Sequence, residues 1–307
     1  MGRETELNEL GRQLVAPDGV RVMEMEWIDG YDVRRLLTPA MLRRVSQRVD
    51  DRRWAYLNDV IVTAGATQPR RKPGVAIAVL RDGLAVPAAL HRDGIVHGDV
   101  KPSNIMLKRT GDAKLVDVGS AFARDDAPPA RTCTPAYAAP EVLGGAEGKP
   151  QSDLASVGDV LIERLSGAPA FAALRRLGEL RAAKRSIVVL LAGDLPEEVV
   201  RNELLMGLNA PDPAGRFPSA EAADLVERGA ANFHRQLVKG DLASEYGYEI
   251  RVWLQGLEWG GPARRRRAGL SPSRWENQPR RTAMAKGPEF ASIDCPLPAV
   301  HGRRRPR

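Results

Sequence analysis

Cysteine, early lysine and long apolar runs are scarce in this 307-residue chain. Two cysteines, Cys133 and Cys295, are too few for a disulfide framework. The four histidines, His91, His97, His234 and His301, are scattered singly, so the sequence carries no Cys/His metal-ligand cluster. No apolar run approaches the roughly 18 residues of a membrane span, residues 186–193 are far too short, and no signal peptide is recognisable. These absences predict a reduced, cytoplasmic protein with no membrane span. No lysine occurs before Lys72 and no Gly-x-Gly-x-x-Gly occurs anywhere. There is no internal repeat.

The composition that remains is globular. At 43% hydrophobic content the chain can bury a substantial core, and its length suits one two-lobed enzyme domain or two small ones. The net charge of +7 is uneven: residues 263–307 hold eleven arginines and Lys286 against Glu276, Glu289 and Asp294, a net +9 that leaves −2 for residues 1–262. A segment rich in Arg, Pro and Gly cannot bury enough surface to order itself, so 263–307 is predicted to be a basic disordered tail. Its charge suits an acidic partner or a nonspecific polyanion, such as a phosphate backbone or acidic lipid.

The chemistry concentrates in Ile95-Val-His-Gly-Asp-Val-Lys-Pro-Ser-Asn-Ile-Met-Leu107, followed by Asp117-Val-Gly119. Phosphoryl transfer needs an acceptor for a hydroxyl proton, a cation for phosphate and oxygen ligands for Mg²⁺; Asp99, Lys101, Asn104 and Asp117 are residues of those types. Apolar, β-branched runs at 95–97 and 105–108 flank the polar loop, and a turn at 109–112 returns the chain as a strand at 113–116, which brings Asp117 beside Asn104. Any one of these Asp or Asn residues could instead simply cap a turn; the ordered set argues for chemistry.

The segment resembles the catalytic loop and metal-binding segment of bacterial-type serine/threonine protein kinases, with His97-Gly98-Asp99 where many members read His-Arg-Asp. The resemblance implies an α+β, protein-kinase-like fold that uses ATP and Mg²⁺ on a protein substrate. It makes Asp99 the catalytic base, has Lys101 contact the transferring phosphate, and gives Asn104 and Asp117 the metal. Thr134-Pro-Ala-Tyr-Ala-Ala-Pro-Glu141 resembles the end of an activation segment, and 152–158 the start of the long helix that follows. By the same resemblance Glu141 pairs with Arg216, Asp153 accepts backbone hydrogen bonds from the catalytic loop, Thr134 sits near Asp99, and His97 has a scaffold role. Gly98 removes the arginine that in many kinases pairs with a phosphorylated activation loop, and Val118 replaces the phenylalanine of Asp-Phe-Gly.

Strand-like runs at 12–16 and 20–28, joined by a turn at 17–19, resemble a remnant small-lobe hairpin leading into the kinase hinge. Met25 would be the gatekeeper, and Glu26 and Ile28 the positions that hydrogen-bond adenine. Residues 3–10 have helical spacing, with Glu4 or Glu6 in place of a paired regulatory glutamate, or else form a charged surface helix. The expected organisation is a remnant small lobe and hinge at 1–30, a large lobe at 31–230 with an insertion at about 43–73, a helical extension at 231–262 and the tail. Within it a basic helix spans 43–56, a helix at 75–91 carries Ile77, Leu80 and Leu84 on one face and is kinked by Pro87, and a helix at 153–166 is stopped by Gly167. A helix at 220–231 closes the lobe, and an amphipathic helix presents Ile250, Trp253, Leu254 and Leu257, to pack on the domain or bind a partner.

Two functions remain. One is a protein serine/threonine kinase, active with an abridged small lobe or an N-terminally truncated reading of one. The other is a weak or inactive pseudokinase that acts as a docking or regulatory module. A small-molecule phosphotransferase of the aminoglycoside type shares the Asp and Asn logic, but Lys101 and the Ala-Pro-Glu segment argue against it.

Overall fold

The computed structural model describes residues 12–15, 21–24, 26–36, 38–63, 70–124, 132–167, 169–171, 174, 176–186, 203–238, 246–258 and 293–294. Residues 3–10, with Glu4 and Glu6, and Met25 lie outside them. Strands β1 (Arg12–Val15) and β2 (Arg21–Glu24) form an antiparallel hairpin in the expected place, with Arg12 opposite Glu24 and Val15 opposite Arg21. The run does not continue as one strand to Ile28. Residues 26–29 are irregular, and a new strand, β3 (Gly30–Asp32), pairs instead with β7 (Ile105–Lys108), Tyr31 opposite Leu107. β8 (Ala113–Leu115) completes that three-stranded sheet.

Everything else described is dominated by helices. After α1 (Val33–Leu36), the predicted basic helix at 43–56 is two helices, α2 (Pro39–Arg48) and α3 (Asp51–Val60). The break has a local cause: Asp50 is extended and its carboxylate accepts the Arg53 amide at 2.7 Å, so it caps a new N-terminus. Thr38 caps α2 in the same way through Met41. β4 (Val62–Thr63) and β5 (Arg70–Arg71) make a short ladder that leads into α4 (Pro73–Arg92).

α4 is the central helix. Val75, Ile77, Leu80, Leu84 and Leu90 are buried. It packs against α6 (Pro150–Ser166), α9 (Ala220–Leu225), α10 (Ala230–Val238) and α11 (Tyr246–Glu258). Contrary to the expectation of no such segment, its length and apolarity would suit a membrane span; packed among other helices, it is a core element. Pro87 does not end it. The helix runs on to Arg92, and the carbonyl that the pyrrolidine ring crowds belongs to Gly83, at i−4. Asp82 accepts the Ala113 amide at 2.9 Å, tying α4 to β8, and Arg81 meets Asp224 of α9 at 2.7 Å.

α6 begins at Pro150, a residue suited to a first helical turn, and ends at Gly167, which takes the left-handed conformation (φ 77°). It is buried on all sides, including Asp159, Glu163 and Arg164. Gly158 is the point of closest approach: a Cβ there would lie 2.0 Å from Asn209 Oδ1, on α8 (Glu203–Asn209). The predicted helix at 220–231 is interrupted between α9 and α10. In α11, Ile250, Trp253 and Leu254 are all at most 2% exposed, so this helix packs on the domain, against α2, α3 and α4.

Two findings depart from the cysteine and tail expectations. Within the tail, β11 (Ile293–Asp294) pairs antiparallel with β10 (Thr132–Cys133), because strand pairing is carried by the backbone and composition does not reveal it. Cys133 is buried and disulfide-bonded rather than reduced, and Cys295, the only other cysteine in the sequence, directly follows β11.

One ion pair joins the segment at 132–149 to the rest of the lobe. Arg216, with its side chain fully buried, makes a bidentate contact to Glu141 at 2.7 and 2.8 Å and also donates to the carbonyls of Gln151 and Ala210. Ser152 Oγ donates to the same carboxylate at 2.8 Å. Burial pushes the Glu141 carboxyl up, but the Arg216 hydrogen bonds and charge, with Ser152, outweigh it and hold the pKa below its ordinary value of 4.5. Removing one member strands the other in a dry site, so Arg216→Ala should cost about 3–5 kcal/mol in urea unfolding; Arg35→Ala, at an exposed pair with Asp32, should cost at most about 1 kcal/mol. Because the Glu141 pKa is depressed on folding, its contribution is present above pH 4.5 and lost as pH falls below it. An acid titration of Tm should therefore be shallower for Glu141→Gln than for the parent chain.

Candidate active site

The catalytic-loop sequence is positioned from behind by one buried carboxylate. Asp153, near the N-terminus of α6, accepts the His97 amide at 2.8 Å, the Gly98 amide at 2.9 Å and the ring of His91 at 2.9 Å. His91 closes α4, so the central helix, the loop and α6 meet at this one group. The His91 contact was not anticipated; a histidine at a helix end six residues before His97 was its only trace in the sequence. His97 is itself fully buried, with one ring nitrogen 3.3 Å from the Asp99 amide and the other 3.4 Å from the Val116 carbonyl. β6 (Ile95–Val96) enters the loop and pairs with β9 (Phe122–Ala123).

Gly98 has φ 80°, where side chains are strained, and a Cβ there would lie 2.9 Å from the Ser120 carbonyl oxygen. The substitution that removes the usual arginine is therefore also demanded by this loop conformation.

Asp99 and Lys101 come together. The Asp99 carboxylate, 9% exposed, accepts the Thr134 hydroxyl at 2.7 Å on Oδ1 and the Lys101 ammonium on Oδ2; Lys101 Nζ also lies 3.2 Å from Thr134 Oγ1. A short 3₁₀ turn, Pro102–Asn104, then buries Asn104, whose amide nitrogen donates to the Asp99 carbonyl at 3.0 Å. That bond fixes the amide group, and its oxygen accepts from the Ser103 hydroxyl at 3.3 Å. The Val116 amide donates to the Asn104 carbonyl at 2.7 Å, which places the next residue, Asp117, alongside. Asp117 is exposed and, at φ 64°, is the one non-glycine residue with positive φ among the described residues; its carboxylate caps the following turn through the Gly119 amide at 3.4 Å. Strain of this kind is retained where surrounding structure enforces it, often at functional positions.

Asn104 and Asp117 offer an amide oxygen and a carboxylate, hard donors of the kind Mg²⁺ takes. No cluster of three or more His, Cys, Asp or Glu suited to a metal occurs among the described residues. The pair thus fits an ion that keeps most of its shell from water and substrate phosphates.

Glu26 and Ile28 are not brought into this cluster. The Glu26 carboxylate is held by Lys114 at 2.5 Å and Lys108 at 3.1 Å, so its side chain clamps residues 26–29 to the β7–β8 hairpin. The Lys114 and Lys108 hydrogen bonds also lower its pKa. Ile28 is half-buried.

Buried polar contacts behind the site were also missed in the sequence. Lys184 of α7 (Leu177–Lys184) pairs with Asp159, which Asn209 also contacts at 3.2 Å, and Tyr137 donates to Glu163 at 2.5 Å, with Arg164 bonded to both Glu163 and the Val33 carbonyl. Desolvation pushes the Asp159 carboxyl up to about 6 despite Lys184.

The protein kinase domain family model matches residues 55–231, more than half of the chain, and the chain belongs to that family, in its bacterial serine/threonine branch. It is 38% identical over 149 residues to serine/threonine-protein kinase PknB of Mycobacterium tuberculosis, covering 46% of this chain and 23% of that protein. It is 34% identical over 182 residues to PknL of the same organism, covering 55% of this chain and 43% of that protein. PknB of Mycolicibacterium smegmatis is 37% identical over 121 residues, 38% of this chain and 19% of that protein. The chain thus spans less than half the length of these relatives.

The loop geometry has a direct check. Gly94 also has positive φ (71°) but open space around its Cβ direction, so Gly94→Ala should cost only the backbone term, about 1–2 kcal/mol. Gly98→Ala adds the clash with Ser120 and should cost more, in the upper part of about 1–3 kcal/mol. Equal costs by urea denaturation would rule out the tight approach.

Proposed function

We propose that the chain is a protein serine/threonine kinase that transfers the ATP γ-phosphate to protein Ser or Thr hydroxyls. The observation that carries this reading is the Thr134 hydroxyl held by the Asp99 carboxylate at 2.7 Å with Lys101 on the same group. A substrate hydroxyl presented there would meet the same acceptor, so Asp99 takes its proton as the oxygen attacks phosphorus. Lys101, beside that oxygen, balances charge on the transferring group, and Asn104 and Asp117 hold Mg²⁺. Magnesium, when bound, neutralises phosphate charge. His97 and Asp153 act indirectly, by fixing the loop that carries Asp99. Adenine pairs with backbone groups at Glu26 and Ile28, and the basic tail meets an acidic partner or polyanion.

One observation favours the second reading, a weak or inactive pseudokinase that docks partners. Within these 307 residues no lysine precedes Lys72 and there is no glycine-rich loop, so these residues by themselves do not supply the customary donors to the α- and β-phosphates. Each charge-assisted hydrogen bond contributes about 1.5–3 kcal/mol; losing two or three should leave Mg·ATP affinity at roughly millimolar. Titration calorimetry of the 307-residue chain with Mg·ATP checks this, and micromolar affinity would mean that another segment rebuilds the phosphate site. For catalysis, labelling of a generic Ser/Thr substrate should vanish in both Asp99→Asn and Asp117→Ala. Undiminished labelling by Asp117→Ala would remove that residue from the metal site, and no labelling by the parent chain would favour the pseudokinase.

A further inference from the structure

The segment that approaches the active site is paired with a strand from the far end of the chain. β10 and β11 run antiparallel, Thr132 opposite Asp294 and Cys133 opposite Ile293. β10 leads straight into Thr134, the residue whose hydroxyl occupies Asp99. The tail backbone therefore lies one residue from the side chain that fills the catalytic carboxylate. Among the described residues β11 is the sole strand partner of β10. A second, covalent observation ties the same segments: Cys133 is disulfide-bonded, and the only other cysteine of the sequence directly follows β11.

Strand pairing recognises an extended backbone more than a particular side-chain set, so an edge that receives one extended segment can receive others. A two-residue ladder supplies few hydrogen bonds and is weak by itself. A covalent link converts it into an intramolecular contact with a high effective concentration.

We propose that the β10 edge is a docking surface for an extended polypeptide segment and that the chain's own β11 occupies it, so that the basic C-terminal region competes with a protein substrate for the ground beside Asp99. The identity of the competitor rests on the kinase reading; the docking surface does not. The link is reversible: a dithiol reductant supplies two electrons and two protons, the disulfide becomes two thiols, and the dithiol closes to its own cyclic disulfide. Oxidised, the tail is held on β10; reduced, it competes only through the short ladder.

Hydrogen exchange on the full chain tests the occupancy. Backbone amides at 132–134 should exchange at least about tenfold faster in the dithiothreitol-treated Ile293→Pro variant, which cannot donate at residue 293, than in the oxidised parent. Unchanged exchange would overturn the proposal. A fluorescent peptide of residues 286–300, with serine at its cysteine position, should bind the reduced Ile293→Pro protein and fail to bind the oxidised parent; equal binding to both would also overturn it. With Mg·ATP, the KM for a generic Ser/Thr peptide should fall several-fold in the same variant while kcat holds. If no preparation transfers phosphate but exchange and peptide binding respond as stated, the kinase reading fails and the docking surface stands.

Discussion

A carboxylate buried in protein is costly unless donors surround it, and Asp153 is satisfied in a way that organises the whole site. It sits in the first turns of α6, where the helix dipole favours negative charge, and it is nearly inaccessible. Its three donors are the amides of His97 and Gly98 and the ring of His91. Each comes from a segment that must be placed: the amides belong to the loop bearing Asp99, and the ring to the end of the central helix α4. The loop can take this path only because Gly98 tolerates φ 80° and carries no Cβ to meet Ser120. Asp153, Gly98 and α4 are thus one constraint. Removing the carboxylate would leave the buried His97 amide without this acceptor, at about 1–3 kcal/mol, together with the part-buried Gly98 amide, and would release the loop from its support.

The Glu141–Arg216 pair plays a parallel role on the other side. It is bidentate, with further acceptors at Gln151 and Ala210, so four of the five N–H donors of a fully buried guanidinium are used. Because the carboxylate follows the Thr134 segment and Ser152 and Gln151 open α6, the pair fixes the activation segment to the same helix that anchors the catalytic loop. The loop and the segment therefore share one reference frame, which is what brings Thr134 to Asp99.

What was legible in the sequence is what local spacing and family resemblance determine. The strand, loop and hairpin at 95–117 are short-range, with turn residues and apolar alternation that leave little freedom, and Asp153, Glu141 and Arg216 were readable because they stand in motifs. Long-range polar pairing was not legible. On α6, Asp159, Glu163 and Arg164 drew no expectation, since nothing local announces that Lys184, Tyr137 and the Val33 carbonyl will meet them. Helix breaks within apparently continuous patterns, at Asp50 and after Leu225, turn on single capping residues that periodicity averages over. β3 was lost for a related reason: Gly30 reads as the end of a strand, whereas the absence of a Cβ lets it lie against the Leu107 backbone.

Thr134 closes the contacts around Asp99. Its hydroxyl fills Asp99 Oδ1 while Lys101 spans Asp99 Oδ2 and the same hydroxyl. All the principal polar groups near the acceptor are therefore engaged with one another. On the kinase reading proposed above, a substrate hydroxyl would displace or share the Thr134 contact, and a phosphate would draw Lys101 away from Asp99. On that reading, a phosphate that engaged Lys101 would free Asp99 Oδ2, whereas a hydroxyl arriving alone would leave Lys101 bridging the carboxylate and the hydroxyl. Thr134, Asp99 and Lys101 thus form one closed set of contacts, and the proposed transfer requires that set to open both at the hydroxyl and at the ammonium.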